Sequence, residues 1–231
     1  MTNFVFDVDG TLTDSRKPID KKFKDFMLDF TRMHTCYICT GSDRQKTIEQ
    51  IGEDLTNQFT LAFHCSGNLI YKNSIEIYKN FWALTTAEME FLQQALDNTY
   101  YKEKTGNHIE ERLGTVNFSI VGRNASHEQR QRYVKWDNET QARSIIAEQF
   151  NNLFEKSQAV VGGEISIDIF KKGCDKSQIK KYIDGETIYF GDRCYPGGND
   201  YSISMLCDKF YQIDNGWKQT FSILKEYHNK H

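Results

Sequence analysis

The feature that most constrains this chain lies at its start. In FVFDVDGTLTDSR, Phe4 to Arg16, three apolar residues run directly into Asp7, Val8, Asp9 and Gly10. Phe4, Val5 and Phe6 read as a short strand buried on both faces, and Gly10 lets the backbone turn sharply away. Two carboxylates at the end of such a strand repel each other and lose solvation, so a fold that keeps them needs a cation or a proton to manage the charge. A solvated acidic turn is the plainer alternative.

Alternating elements follow. Ile19, Phe23, Phe26, Met27 and Phe30 recur at helical spacing behind Pro18, which suits a first turn. CYICTGSD reads as a second buried strand ending in Thr40, Gly41 and Ser42, and RQKTIEQIG as a helix closed by Gly52. TLAFHC predicts a third strand, and NLIYKNSIEIY a hairpin turning at Asn73. Strand and helix in alternation predict a parallel sheet covered by helices.

The middle of the chain changes style. After a helix whose Thr85 and Glu88 fit a capping box, Val116, Phe118 and Ile120 alternate with polar residues. A long polar helical region spans Ser126 to Phe154. Then Ile165, Ile167 and Ile169 fall on one face of a strand, with Glu164, Ser166 and Asp168 on the other. Such half-apolar strands suit an antiparallel sheet packed on helices. The segment from Asn80 to about Gly173 therefore reads as an inserted α+β domain, between core segments 1–79 and 174–231. The α/β pattern resumes with a helix in DKSQIKKYI, a strand in TIYFGD, the loop RCYPGGND, a helix in YSISML, a strand in KFYQI and a last helix from Gly216. Ligands of open α/β sheets bind at the carboxyl ends of the strands, which would gather Asp7, Asp9, Thr40, Ser42 and Asp192.

Composition narrows the partners. A net charge of −3 gives no footprint for a polyanion, so nucleic acid is not expected. No apolar run approaches the roughly 20 residues that span a bilayer, and Met1 leads straight into a strand, so a cytoplasmic protein without membrane contact is expected. The six cysteines are too few and scattered for a disulfide framework. Cys36 and Cys39 share one strand at an odd offset, which sends them to opposite faces as core thiols.

DVDGTLTDSR, a strand ending in TGSD, Asp175-Lys176 and GDRCYPGGND resemble, in order, the four motifs of the haloacid dehalogenase superfamily. GRNASHEQR, GGEISIDIF and PGGND further resemble the eukaryotic-type phosphomannomutases within it. The resemblance implies a Rossmann-like haloacid dehalogenase core with a parallel sheet and an inserted cap carrying an antiparallel sheet. It also implies a phosphohexomutase, cytoplasmic and homodimeric through the cap, serving GDP-mannose biosynthesis. The chain departs from the pattern after Asp200, where YSISMLCDKF replaces an Asp-Pro-Arg-Thr segment tied to a second cation, and at HCSGNLIY.

Phosphoryl transfer needs a nucleophile, a cation against the phosphate oxygens and a proton shuttle. Asp7 is the expected nucleophile, forming an aspartyl-phosphate, and Asp9 the acid and base for the leaving and entering hydroxyls. Asp7, Asp192 and the backbone carbonyl of Asp9 make an oxygen-only set suited to Mg2+. Lys176 would offset carboxylate charge, and the Thr40 to Ser42 turn would bind phosphate. Asn199 and Asp200 are expected as supporting residues of the site. Each assignment also has a plainer reading: a first-turn helix lysine, and residues that merely cap the next helix, as Asn199 and Asp200 could cap the one after PGG. Arg112, Arg123 and Arg130 suit bidentate phosphate binding but could form only a solvated basic face. By resemblance Arg123 and Arg130 hold the non-reacting phosphate, Arg112 and Arg16 belong to the substrate site, and Ser166 and Asp168 contact the sugar. A mutase interconverting hexose 6- and 1-phosphates, mannose first with glucose left open, through a hexose 1,6-bisphosphate is expected. A sugar-phosphate phosphatase is the alternative, and a non-catalytic sugar-phosphate binder a third reading.

Overall fold

A computed structural model of the chain describes residues 2–228. Its first elements are β1 (Asn3–Phe6), α1 (Lys21–Met33), β2 (Thr35–Cys39), α2 (Arg44–Ile51), α3 (Glu53–Gln58), β3 (Leu61–His64), β4 (Leu69–Lys72) and β5 (Ile75–Lys79). Then come α4 (Thr86–Asn98), β6 (Ile109–Arg112), β7 (Thr115–Phe118), α5 (His127–Thr140), α6 (Ala142–Leu153), β8 (Ser157–Gly162) and β9 (Ser166–Lys171). A 3-10 segment at Lys176–Tyr182 leads to β10 (Thr187–Gly191), α7 (Tyr201–Ser204), β11 (Lys209–Gln212) and α8 (Trp217–His228). The chain divides into two compact units, one formed by the chain up to Asn80 and again from Gly173, the other by Phe81–Lys172.

The first unit carries a sheet in the order β11-β10-β1-β2-β3-β4-β5. Strands β11, β10, β1, β2 and β3 run parallel, and the hairpin β4–β5 extends the sheet antiparallel, turning at Asn73 with φ +54°. The central strand β1 is buried on both faces. Phe4 and Phe6 pack with Phe23, Met27 and Phe30 of α1 and with Leu224 of α8, while Val5 packs oppositely with Tyr37, Phe63, Ile179 and Tyr189. The period of two that separates these faces also separates Cys36 from Cys39.

In the second unit the sheet order is β6-β7-β9-β8, antiparallel throughout. Val116, Phe118, Ile167 and Ile169 meet Leu92, Tyr133, Ala147 and Phe150 from α4, α5 and α6. Thr85 and Glu88 close the expected capping box of α4.

Several local expectations are corrected. Helix α1 starts after Pro18, because the Asp20 side chain accepts from Phe23 N and caps the helix there. The polar region from Ser126 to Phe154 is two helices, broken at Gln141 with φ +54°. DKSQIKKYI forms a 3-10 segment rather than an α-helix, and YSISML yields only the single turn of α7. Beyond Gly52, α3 continues the chain as a helix that the sequence reading leaves out.

Candidate active site

The end of β1 delivers Asp7 into a buried charge cluster. Asp7 N donates to Phe190 O at 2.9 Å, so the β1–β10 pairing carries on to this residue. The Lys176 ammonium donates to Asp7 Oδ1 at 2.7 Å and to Asp200 Oδ1 at 2.6 Å. Asp200 takes two further donors, Tyr189 OH at 2.6 Å and Arg193 N at 3.0 Å. Asp7, Asp192 and Asp200 each offer a carboxylate oxygen within 4.8 Å of the others. Two glycines make room: a Cβ on Gly10, which has φ +75°, would lie 2.6 Å from Asp192 Oδ2, and one on Gly191 would lie 2.6 Å from Asp200 Oδ2.

Asp7 and Asp200 thus face one ammonium away from water, while Asp192 is partly exposed and has Arg193 Nε 3.9 Å from its Oδ2. Burial pushes Asp7 up to about 8, against the pull of Lys176 and with the help of Asp200. Burial and Asp200 push Asp192 up to about 6. Burial works against the charged form of Lys176, but Asp200 and Asp7 outweigh it and its pKa rises. Three carboxylates therefore share the buried Lys176 and, at the rim beside Asp192, the exposed Arg193. A hard divalent cation fits this all-oxygen set, with Asp7 and Asp192 as the available carboxylates, because the Asp200 oxygens already serve three donors.

Asp9 is held differently. Its Oδ1 accepts from Arg16 N at 2.7 Å and from Gln50 Nε2 at 2.8 Å. Arg16 sits at φ +62°, a left-handed conformation that aims its N–H at the carboxylate. Gln50 also donates to Thr13 Oγ1 at 3.3 Å, tying α2 to the turn after β1. The sequence reading missed Gln50. Its signal was the phase: Thr47, Gln50 and Ile51 fall on the buried face of α2, where a polar side chain requires a partner.

Thr40 and Ser42 do not cap α2; Asp43 does, accepting from Lys46 N at 2.8 Å. Thr40 Oγ1 accepts from Ser42 N, and the turn is tied to the end of β3 by Cys65 N to Ser42 O and Ser66 N to Thr40 O. Lys176, almost fully buried, is no ordinary first-turn lysine. Asp200 has no capping hydrogen bond to α7 and instead joins the charge cluster, while Asn199 is exposed on its loop.

The second unit holds its own charged group. Glu110 on β6 pairs with Arg112 and, at 3.3 Å, with Arg123 Nε. Arg130 of α5 donates to Ala125 O and Arg123 O, bracing the turn that carries Arg123. Burial and the neighbouring Arg112 pull Arg123 below the usual guanidinium range, and Arg130 adds to the pull. Such crowded cations are relieved by an anion. Ser166 spends its hydroxyl on Gly162 O at 2.9 Å, and Asp168 accepts from Asn117. The buried Arg143 reaches the carbonyls of Gly162, Gly163 and Ser166 and is fixed by Asp137, which anchors the hairpin bearing Ser166 and Asp168.

The profile of the eukaryotic phosphomannomutase family matches residues 23–226. A phosphomannomutase of Dendrobium officinale is 36% identical over 212 residues, covering 86% of this chain and 83% of that protein. The chain belongs to the eukaryotic phosphomannomutase family. A second phosphomannomutase, of Encephalitozoon cuniculi, is 33% identical over 224 residues, covering 87% of this chain and 84% of that protein. A haloacid dehalogenase-like hydrolase from Bacteroides thetaiotaomicron superimposes with a TM-score of 0.59 at 13% identity, covering 96% of this chain and 99% of its own. An IMP-bound, N-terminally truncated IMP-nucleotidase from Plasmodium falciparum gives 0.67 at 12% identity, covering 99% and 68%. These structures share the haloacid dehalogenase fold with this phosphomannomutase family member, and at such identity the fold alone. Asp200, expected in a supporting role, stands inside the cluster as the anchor of Lys176, while its expected companion Asn199 makes no contact there among the described residues.

Proposed function

We propose that the protein is a magnesium-dependent phosphohexomutase that interconverts mannose 6-phosphate and mannose 1-phosphate through an aspartyl-phosphate on Asp7 and a hexose 1,6-bisphosphate. The observation that carries this reading is the Lys176 bridge from Asp7 to Asp200, beside Asp192, in a chain of the phosphomannomutase family. Asp7 attacks phosphorus with its carboxylate, and Lys176 holds that carboxylate in place. Asp9 gives a proton to the departing sugar hydroxyl and takes one from the returning hydroxyl, its Oδ1 pinned by Arg16 N and Gln50 so that Oδ2 is the atom that exchanges the proton. Thr40 and Ser42 lie on the turn proposed to receive the phosphate oxygens. Bound by Asp7, Asp192 and the Asp9 carbonyl, Mg2+ would supply positive charge against those oxygens.

Arg112, Arg123 and Arg130 are proposed to grip the phosphate that does not react, with Ser166 and Asp168 placed for the sugar and Arg16 at the core site. The crowding of these guanidinium groups supports that role. A homodimer paired through the inserted unit is part of the proposal, and the exposed Val160 and Val161 on the edge strand β8 support it as apolar surface such pairing would cover. Among the described residues no helix is long and apolar enough to cross a membrane, and a cytoplasmic place in GDP-mannose supply goes with the family reading.

The test is phosphoenzyme formation. Incubation with a hexose 1,6-bisphosphate is expected to leave an acid-stable, hydroxylamine-labile phosphoryl group on Asp7 of the wild type and none on Asp7→Asn. Undiminished labelling of Asp7→Asn rejects the scheme.

A further inference from the structure

Along β10, Ile188 and Phe190 turn into the cluster around Phe4 and Phe6, and Tyr189 turns to the opposite face with Val5, Tyr37, Phe63 and Ile179. Tyr189 is fully buried there, in a setting that a phenylalanine ring would fill as well. Its hydroxyl is the exception, since a polar group buried among apolar side chains costs free energy unless it is paired. The partner is Asp200 Oδ1, at 2.6 Å. The backbone makes room for this approach: a Cβ on Gly191 would lie 2.7 Å from Tyr189 Cε1 and 2.6 Å from Asp200 Oδ2, so glycine lets the ring and the carboxylate meet.

The same oxygen receives Lys176. Asp200 Oδ1 lies 2.6 Å from Lys176 Nζ, and that ammonium reaches Asp7 Oδ1 at 2.7 Å. All four side chains are buried. Two buried carboxylates compete for one ammonium, so its place between them depends on how far other donors meet the charge of Asp200. Arg193 N serves Oδ2 at 3.0 Å, and Tyr189 serves Oδ1, the oxygen that Lys176 also uses. With the phenol in place, Asp200 is fixed in orientation and Lys176 is shared with Asp7. Without it, Oδ1 keeps Lys176 as its single donor and draws the ammonium away from Asp7.

We infer that Tyr189 is a positioning residue for phosphoryl transfer: its hydroxyl fixes Asp200 Oδ1 and, through it, the Lys176 ammonium that holds Asp7 for attack. The inference rests on the aspartyl-phosphate reading above and adds to it a residue that bonds neither Asp7 nor Lys176. A small displacement of a group that orients the nucleophile is enough to slow the chemical step strongly while leaving substrate binding intact. Tyr189 therefore acts on the rate of attack and not on affinity.

The test is single-turnover labelling of Asp7 from a hexose 1,6-bisphosphate with Mg2+, in wild type, Tyr189→Phe, Asp200→Asn and the double variant, each below its own thermal transition. Tyr189→Phe is expected to lower the maximal rate of labelling about tenfold, and to leave unchanged the bisphosphate concentration that gives half that rate. In Asp200→Asn the phenol has lost the carboxylate it acts through, so adding Tyr189→Phe should change the rate by no more than about twofold. A hydroxyl with only a structural role would lower Tm and leave the labelling rate alone. Labelling of Tyr189→Phe at the wild-type rate, or a double variant in which the two losses multiply, overturns the inference. A wild type that takes no phosphoryl group onto Asp7 is a separate result, and it rejects the aspartyl-phosphate reading together with this one.

Discussion

Lys176 Nζ donates to Asp7 Oδ1 at 2.7 Å, joining two residues 169 positions apart in the sequence. The same ammonium holds Asp200, so a single buried cation serves two buried carboxylates. Lys176→Met is expected to destabilise the fold by about 3–5 kcal/mol, because both carboxylates are left without their counter-charge. Urea unfolding measures the loss. Adding Asp200→Asn to that variant should recover part of it, and a Lys176→Met chain as stable as wild type would contradict the bridge.

The raised carboxyls tie magnesium to pH. Asp7 and Asp192 move from 3.8 up to about 8 and about 6, so the stability they contribute is complete below about pH 4 and is lost as pH rises through 6 and 8. A cation that neutralises the ionised cluster therefore has most to restore at high pH. The rise in Tm on adding Mg2+ is expected to be larger at pH 8 than at pH 5.5, with Mg2+ affinity increasing over the same range. Excess chelator should abolish turnover and added Mg2+ return it; full activity in chelator rejects the metal role.

His64 at the end of β3 gives the opposite slope. It is fully buried, with Nδ1 3.2 Å from Thr47 Oγ1, and burial together with Arg44 pulls it from 6.5 down to about 4. The unfolded chain takes up the proton near pH 6.5 and the native protein only near 4, so stability falls as pH drops through that window, by roughly 3 kcal/mol in full. Because Asp7 and Asp192 slope the other way over the same range, the fall is read as the difference between wild type and His64→Gln in unfolding free energies measured from pH 7 to pH 4. An unchanged slope in the variant assigns the acid loss elsewhere.

Much of this architecture was legible because it rests on periodicity. The strand at Phe4–Phe6, the alternation of Ile165, Ile167 and Ile169, and the Thr85–Glu88 capping box each follow from local rules that tertiary packing reinforces. Helix boundaries were less legible where a side chain intervened, as Asp20 does ahead of α1, or where one residue in a left-handed conformation splits a polar helix, as Gln141 does. The site was legible where a motif names its residues, at Asp7, Asp9, Lys176 and Asp192. Gln50, Tyr189 and Asn117 were not, since each acquires its partner from a distant strand or turn, and nothing in TVNFS separates Asn117 from any outward-facing polar residue.

Arg130 braces the Arg123 carbonyl at 3.2 Å, and in the proposed mutase it also grips the phosphate that does not react. Arg130→Ala is expected to weaken bisphosphate binding by about 1.5–3 kcal/mol, the worth of a charge-assisted hydrogen bond. The bisphosphate then escapes before it can return its other phosphate to Asp7. Steady-state assays should show isomerisation falling steeply, with a larger share of turnovers ending in free phosphate. Unaltered partitioning in Arg130→Ala would remove Arg130 from the substrate site.

The central claim is that the phosphoryl group on Asp7 passes to another hexose phosphate and not to water. Phosphorus NMR of mannose 1-phosphate with the wild-type protein, Mg2+ and a catalytic amount of hexose 1,6-bisphosphate tests it most directly. The account predicts conversion to mannose 6-phosphate, dependence of the rate on the bisphosphate, and inorganic phosphate as a minor signal. Steady growth of inorganic phosphate, with no mannose 6-phosphate and no response to the bisphosphate, would contradict it and identify a phosphatase.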